Sequence, residues 1–322
     1  MIPAALLALL LAQQEPDIRS TVVNVQVPVT VLDKKGNFLP SLTAEDFRLY
    51  DAGLPAKVQV DESARPISLV VAVQASSGTR GVLDTVRKAS ALFLPLVAGE
   101  TGEVSVITFD HRVEVLSPFT SDGAQLRTAF AKLKSGSTQH HLDDATMEAI
   151  RLLRTRGAER QKVVLLISES FDQGSAVTPT DVFTFAALDD VLIYGVRVKQ
   201  NKPPPTPAKN PVPPEARLPM GGEIQTQTSD ARVATVGGGV FQSLLTANNL
   251  AAYSQATGAR ELTFTNQKSL ESAIATIAKE VHSQYLLTFA PQDPTPGYHD
   301  LTVQVTALDL QVRARHGYWA LK

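Results

Sequence analysis

The sequence predicts a doubly wound, mostly parallel α/β domain with an accessory antiparallel β unit formed by the N- and C-terminal segments. Three observations predict it. Ile67 to Val73, Val104 to Phe109, Val163 to Ile167 and Val191 to Val198 are apolar with little alternation, as strands buried on both faces of a parallel sheet are. Segments with helical spacing separate these runs, and strands alternating with helices indicate double winding. Alternating β patterns stand at both ends of the chain, which is most simply resolved if the two ends pair.

The elements follow in order. In TVVNVQVPVTVL (Thr21 to Leu32), Val23, Val25, Val27, Val29 and Val31 share one face and Asn24, Gln26 and Thr30 the other, a half-buried strand. Asp33 to Asn37 supplies a turn, Phe47 to Tyr50 a second strand, Asp51 to Gly53 a turn, and Val58 to Val60 a third strand. Past Pro66, helical stripes run through Leu83, Val86, Ala89 and Phe93, through Leu126, Phe130 and Leu133, and through Ala145, Ala149, Leu152 and Leu153. His111 to Leu116 reads as an antiparallel edge strand. Lys202 to Pro219 must be an exposed loop, because proline fixes φ and lacks the N–H that a helix interior or central strand needs. Helical spacing resumes at Asn249 to Thr257 and at Leu270, Ile274, Ile277 and Val281. Strands return at Tyr285 to Phe289, Leu301 to Val305 and Leu310 to Val312.

The chain has 322 residues, more than the roughly 250–300 at which one core usually stops growing, so two units are expected. They divide as a leading β segment over 20–63, the α/β domain over 66–282 with its Pro-rich loop at 202–219, and a closing β segment over 283–322. The net charge is −2 with no basic block, which removes the main electrostatic driver of nucleic-acid binding. With no cysteine there is no thiol nucleophile, disulfide or Cys-ligated metal. Met1 to Ala12 is almost wholly apolar and gives way abruptly to Gln13, Gln14 and Glu15, a signal-peptide pattern over 1–12. No later run reaches the ~18 apolar residues of a membrane span, so an exported protein, periplasmic or extracellular, is expected.

In an open α/β sheet, ligands sit beyond the carboxyl ends of the strands. There the chain places Gln74-Ala75-Ser76-Ser77-Gly78, the loop Ser135-Gly136-Ser137-Thr138, and Ser168-Glu169-Ser170. These loops resemble the metal-ion-dependent adhesion site of von Willebrand factor A-type domains, whose pattern is Asp-x-Ser-x-Ser, a distant Thr and a later Asp. VTVLDKKGNFLPSLTAEDFRLYDAG (Val29 to Gly53), QYLLTFAPQ (Gln284 to Gln292) and VRARHGYW (Val312 to Trp319) resemble the flanking segments of the VWFA-related group described from Acidobacteria. The resemblance implies a Rossmann-like sheet and a protein-interaction or adhesion role. In members with an intact site, the bound cation leaves one position for an acidic residue of the partner.

By the same resemblance Ser76, Thr138 and Glu169 are the candidate metal ligands, for Mg2+ or Mn2+ if the site keeps an ion. Gln74 replaces an acidic group, Gly78 replaces a hydroxyl that Ser77 would supply only if the loop shifted by one residue, and Glu169 is one methylene longer than Asp. These departures predict a degenerate site with no resident cofactor. Gln74, Ser77, His140 and Asp172 are the candidate contacts for a protein partner. His140-His141-Leu142-Asp143-Asp144 offers a second metal constellation, but adjacent residues seldom face one ion, and Asp143 or Asp144 is well placed to cap the following helix. No G-x-S-x-G elbow, H-E-x-x-H helix or phosphate-binding loop occurs, and an enzyme is not expected. The alternative to an interaction module is a metal-independent structural or assembly component of the cell envelope. A hydrolase stands behind both.

Overall fold

The computed structural model describes residues 24–61, 65–199, 248–293, 295–307 and 309–320. The apolar leader 1–12 and the Pro-rich stretch 202–219 lie outside the described residues.

A six-stranded sheet carries the α/β domain. Its strands are β5 (Ile67–Gln74), β6 (Glu103–Phe109), β7 (Val113–Thr120), β8 (Gln161–Ser168), β9 (Val191–Val198) and β10 (Glu261–Phe264), in the order β10-β9-β8-β5-β6-β7. All neighbours are parallel except β6 and β7. The continuous apolar runs follow from burial on both sides. In β5, Leu69, Val71 and Val73 enter one core and Val70 and Ala72 the other. On the first face pack α1 (Leu83–Ala89), α2 (Gly123–Ala131) and α6 (Gln267–His282); on the second pack α3 (Leu142–Arg154), α4 (Pro179–Leu188) and α5 (Asn249–Ala256). The stripe Leu83, Val86, Ala89 and Phe93 is buried as the spacing predicts, but the α-helix stops at Ala89 and continues as a 3-10 turn and a π turn to Ala98.

The chain ends form two four-stranded antiparallel sheets. One has the order β13-β1-β11-β4, from β13 (Gln311–Ala314), β1 (Val25–Leu32), β11 (Tyr285–Phe289) and β4 (Gln59–Asp61). The other is β14-β12-β2-β3, from β14 (Gly317–Ala320), β12 (Gly297–Val305), β2 (Phe47–Asp51) and β3 (Leu54–Ala56). N-terminal β1 lies between two C-terminal strands, with Val25 opposite Phe289 and Val31 opposite Val312. The alternating valines explain the pairing of the layers: Val25, Val27, Val29 and Val31 meet Phe47, Leu49, Leu287, Phe289 and Tyr318 in one core.

Fixed contacts join the sandwich to the α/β domain. Arg65, in the connection to β5, donates to the carbonyls of Ala158 and Arg160 at 2.6 Å each and to Gln26 Oε1 at 2.9 Å. Glu280 on α6 is fully buried; it accepts from Tyr194 at 3.1 Å and from Arg313 of β13 at 2.5 Å, with Arg260 at 3.6 Å. Among the described residues no helix is long and apolar enough to cross a membrane.

Candidate functional site

The parallel strands β5, β6 and β8 end side by side at Gln74, Phe109 and Ser168, and the loops that follow are stitched together by backbone bonds. Ala75 N donates to Phe109 O and Gly136 N to Ala75 O, each at 2.7 Å, and Ser77 N donates to Ser137 O at 2.7 Å. Asp110 accepts from Ser137 N at 2.8 Å and Arg112 N at 2.9 Å. A Cβ at Gly136 would press on the Asp110 carboxylate, which would have to shift from its bond to Ser137 N. Thr79 folds the first loop back by donating to Gln74 O at 2.8 Å and Ser76 O at 3.1 Å. The loop carrying Ser76 and the loop carrying Thr138 are therefore locked in register.

At the centre lies Gln74, 1% exposed, and all its side-chain bonding capacity is used. Oε1 accepts from Ser168 Oγ and from the Glu169 backbone N–H, both at 2.8 Å. Nε2 donates to Ser76 Oγ and to Glu169 Oε2, both at 2.7 Å. The Glu169 N–H can only donate, so the atom it meets must be the amide oxygen, and the orientation of the amide is fixed by chemistry. Ser168 is a part of this network that sequence pattern did not single out, because its hydroxyl reads as an ordinary strand end.

Gln74, Ser76 and Glu169 are thus in direct contact, and the Thr138 loop is bonded to the Ser76 loop. Thr138 and Ser77 are exposed. His140 is 3% exposed, with Nδ1 3.8 Å from Glu169 Oε2, beyond hydrogen-bond distance. Burial lowers the His140 pKa and favours the neutral ring, an effect partly offset by the Glu169 charge. Asp172 does not face the Gln74 cluster with its bonding atoms: it accepts from Asp143 N at 3.1 Å, Gly174 N at 3.0 Å and Ser175 N at 2.9 Å.

The start of α3 corrects the expected cap. His141 occupies the N-cap without a side-chain cap bond, and Asp172 and Ser175 satisfy the N–H groups of Asp143 and Asp144 instead. Asp144 accepts from Ala176 N and Val177 N, at 3.0 and 2.9 Å to the same oxygen. Asp143, 2% exposed, faces α5, where Tyr253 donates to it at 2.7 Å and Asn249 at 3.3 Å. A carboxylate on the core-facing side of an amphipathic helix requires partners. That requirement was the signal for this pair, but the helix supplying the partners lies far along the chain.

The donor set does not fit a hard divalent cation. Such an ion takes oxygen lone pairs in a near-octahedral shell. Here the amide presents N–H groups to Ser76 and Glu169, and Glu169 is the only carboxylate in the cluster. Among the described residues no group of three or more His, Asp or Glu is arranged to hold a metal.

The von Willebrand factor type A domain family model matches residues 69–171, which span β5 to the Glu169 loop. Solved structures with a similar fold include von Willebrand factor type A from Catenulispora acidiphila, at TM-score 0.49 and 10% identity, covering 94% of this chain and 64% of that one. Another is the conserved hypothetical protein BatB from Bacteroides thetaiotaomicron, at TM-score 0.42 and 13% identity, covering 66% and 99%. A third is proximal thread matrix protein 1 from the mussel byssus, solved with zinc in its adhesion-site motif, at TM-score 0.47 and 14% identity, covering 71% and 49%. No curated protein matches the chain.

Proposed function

We propose that this chain, which carries a von Willebrand factor type A domain, is an exported, non-enzymatic protein-interaction module that engages a protein partner at the carboxyl-end rim of its central sheet. One observation carries the reading: three loops distant in sequence are bonded into a single surface, on which Ser77 and Thr138 are exposed and Phe171 is 40% exposed. A rigid rim with an exposed aromatic and hydroxyls is suited to recognition, since anchors held in place lose little freedom on binding. The apolar leader at Met1 to Ala12 supports export, and the two flanking β segments serve as the accessory unit that presents the rim.

Photo-crosslinking in the native cell tests this. A crosslinking residue at Thr138 and one at Phe171 are expected to trap the same protein, whereas one at exposed Ala158, beyond the opposite end of the strands, is not. Adducts of equal yield at all three positions, or at none, would overturn the assignment of the rim.

A further inference from the structure

We propose that the side-chain amide of Gln74 replaces the bridging cation of this rim, so that the site is closed by hydrogen bonds and takes no Mg2+ or Mn2+. The two N–H bonds of Nε2 reach Ser76 Oγ and Glu169 Oε2 at 2.7 Å each, the hydroxyl and the carboxylate that a cation would have to capture. An entering ion must break both contacts, and would then face an amide nitrogen with no lone pair to offer. Turning the amide over does not help: the NH2 group would be driven against the Glu169 N–H, which now bonds Oε1 at 2.8 Å, donor against donor. Gln74 and Ser76 are 1% and 0% exposed, so the broken bonds would not be recovered from water.

The loop cannot compensate by sliding. Ser77 N–H is held by Ser137 O at 2.7 Å and Thr79 by the carbonyls of Gln74 and Ser76, which keeps the Ser77 side chain exposed and leaves Gly78, with no hydroxyl, at the remaining ligand position. The electrostatic result is an inversion. The formal charge that Glu169 brings to the cluster is negative, the opposite of the charge a bound cation would bring.

Gln74→Glu supplies the test, because it places an oxygen where Nε2 stands at nearly constant shape. Adjacent oxygens in an octahedral shell with ~2.1 Å bonds lie about 3 Å apart, close to the contacts of this position. The wild-type protein is expected to show neither calorimetric heat nor a change in Tm with millimolar Mn2+, and no change with EDTA. Q74E is expected to melt several degrees lower than wild type in EDTA, to recover with Mn2+, and to lose that recovery when E169Q is added. Mn2+ binding by the wild-type protein that disappears in E169Q overturns the proposal. So does a Q74E protein as stable as wild type in EDTA and indifferent to Mn2+. If Q74E does not fold, the wild-type titration decides alone, silence upholding the proposal and E169Q-sensitive binding ending it. None of these readouts involves a partner, so their failure is separate from failure of the crosslinking test above.

Discussion

Tyr253 on α5 donates its phenolic hydrogen to Asp143 on α3 across 2.7 Å, although 110 positions separate the two residues. The bond ties two helices on the same face of the sheet through a carboxyl that is 2% exposed. Its burial has a measurable cost.

Desolvation pushes the Asp143 carboxyl up to about 6, with the charges of Asp172 and Asp144 adding to it and the bonds from Tyr253 and Asn249 opposing it. An unfolded Asp titrates near 3.9. Between the two values the folded protein holds a proton that the unfolded chain has released, so this contribution to stability is full below about pH 4 and is lost as pH rises through about 6. The gap corresponds to roughly 3 kcal/mol. Asp143→Asn removes the ionisable group and keeps an acceptor for Tyr253. Relative to this variant, the wild-type protein is expected to gain stability as pH falls from 7 to 4, measured by urea unfolding of both. Buried His140 acts in the opposite direction, but it is common to both proteins and cancels. A difference that stays constant with pH would refute the effect.

Glu280 is 0% exposed and depends on its cationic neighbours. Arg313→Met is expected to destabilise the protein by about 3 kcal/mol, because it removes the nearer cation of a buried charge and leaves only Arg260, at 3.6 Å, to offset it. Adding Glu280→Gln to that variant should restore much of the loss. A denaturant double-mutant cycle checks this, and additive losses would contradict it.

Gly258, at φ +83° just past α5, lies where a Cβ would meet Arg315 N at 2.6 Å and Ala314 C at 2.7 Å. Both are backbone atoms, at the end of β13 and the residue after it, and cannot swing aside. Gly258→Ala is expected to cost at least ~1–3 kcal/mol from the left-handed backbone alone. The urea midpoint should fall with the slope unchanged.

Arg65 supplies donors to the Ala158, Glu159 and Arg160 carbonyls together. Arg65→Met leaves those carbonyls to water at the two exposed bonds and unpaired at the half-buried Arg160, at a cost of about 1 kcal/mol. Limited trypsin digestion should cut sooner after Arg156 or Arg160 in the variant. Equal cleavage rates would show that the guanidinium does not hold this loop.

Legibility in the sequence followed the range of the determining contacts. The strands β5, β6, β8 and β9 were readable because burial on both faces writes an uninterrupted apolar run. The edge strand β7 was placed, though the structure shifts it to Val113–Thr120. Helix α4 is not among the stripes that spacing reveals, although it carries a local signal, the Thr178 and Asp181 capping box with Pro179 at the first helical position. Strand β10, four residues long, gave too short a pattern to read. The alternation in β1 and β2 was visible, but not that they belong to opposite layers, since that choice is made by valines and aromatics meeting across the core. The candidate site divides the same way. The strand ends mark the loops, and the resemblance selects Gln74, Ser76 and Glu169 within them, whereas the closed amide network depends on Ser168 and a backbone N–H, which no spacing within one loop reveals.

The placement of β1 between β11 and β13 has a consequence for how the protein is made. Among the described strands β1 is made before its partners β11 and β13 by about 250 residues, so at ~5–20 residues per second it waits on the order of ten seconds or more. Meanwhile the α/β domain, whose pairings are far nearer in sequence, can assemble. The waiting strand is a valine-rich edge of the kind that recruits other nascent chains. Pro28 at its middle removes one backbone donor, which makes it a poorer template for a stranger while leaving its pairing with Leu286 intact.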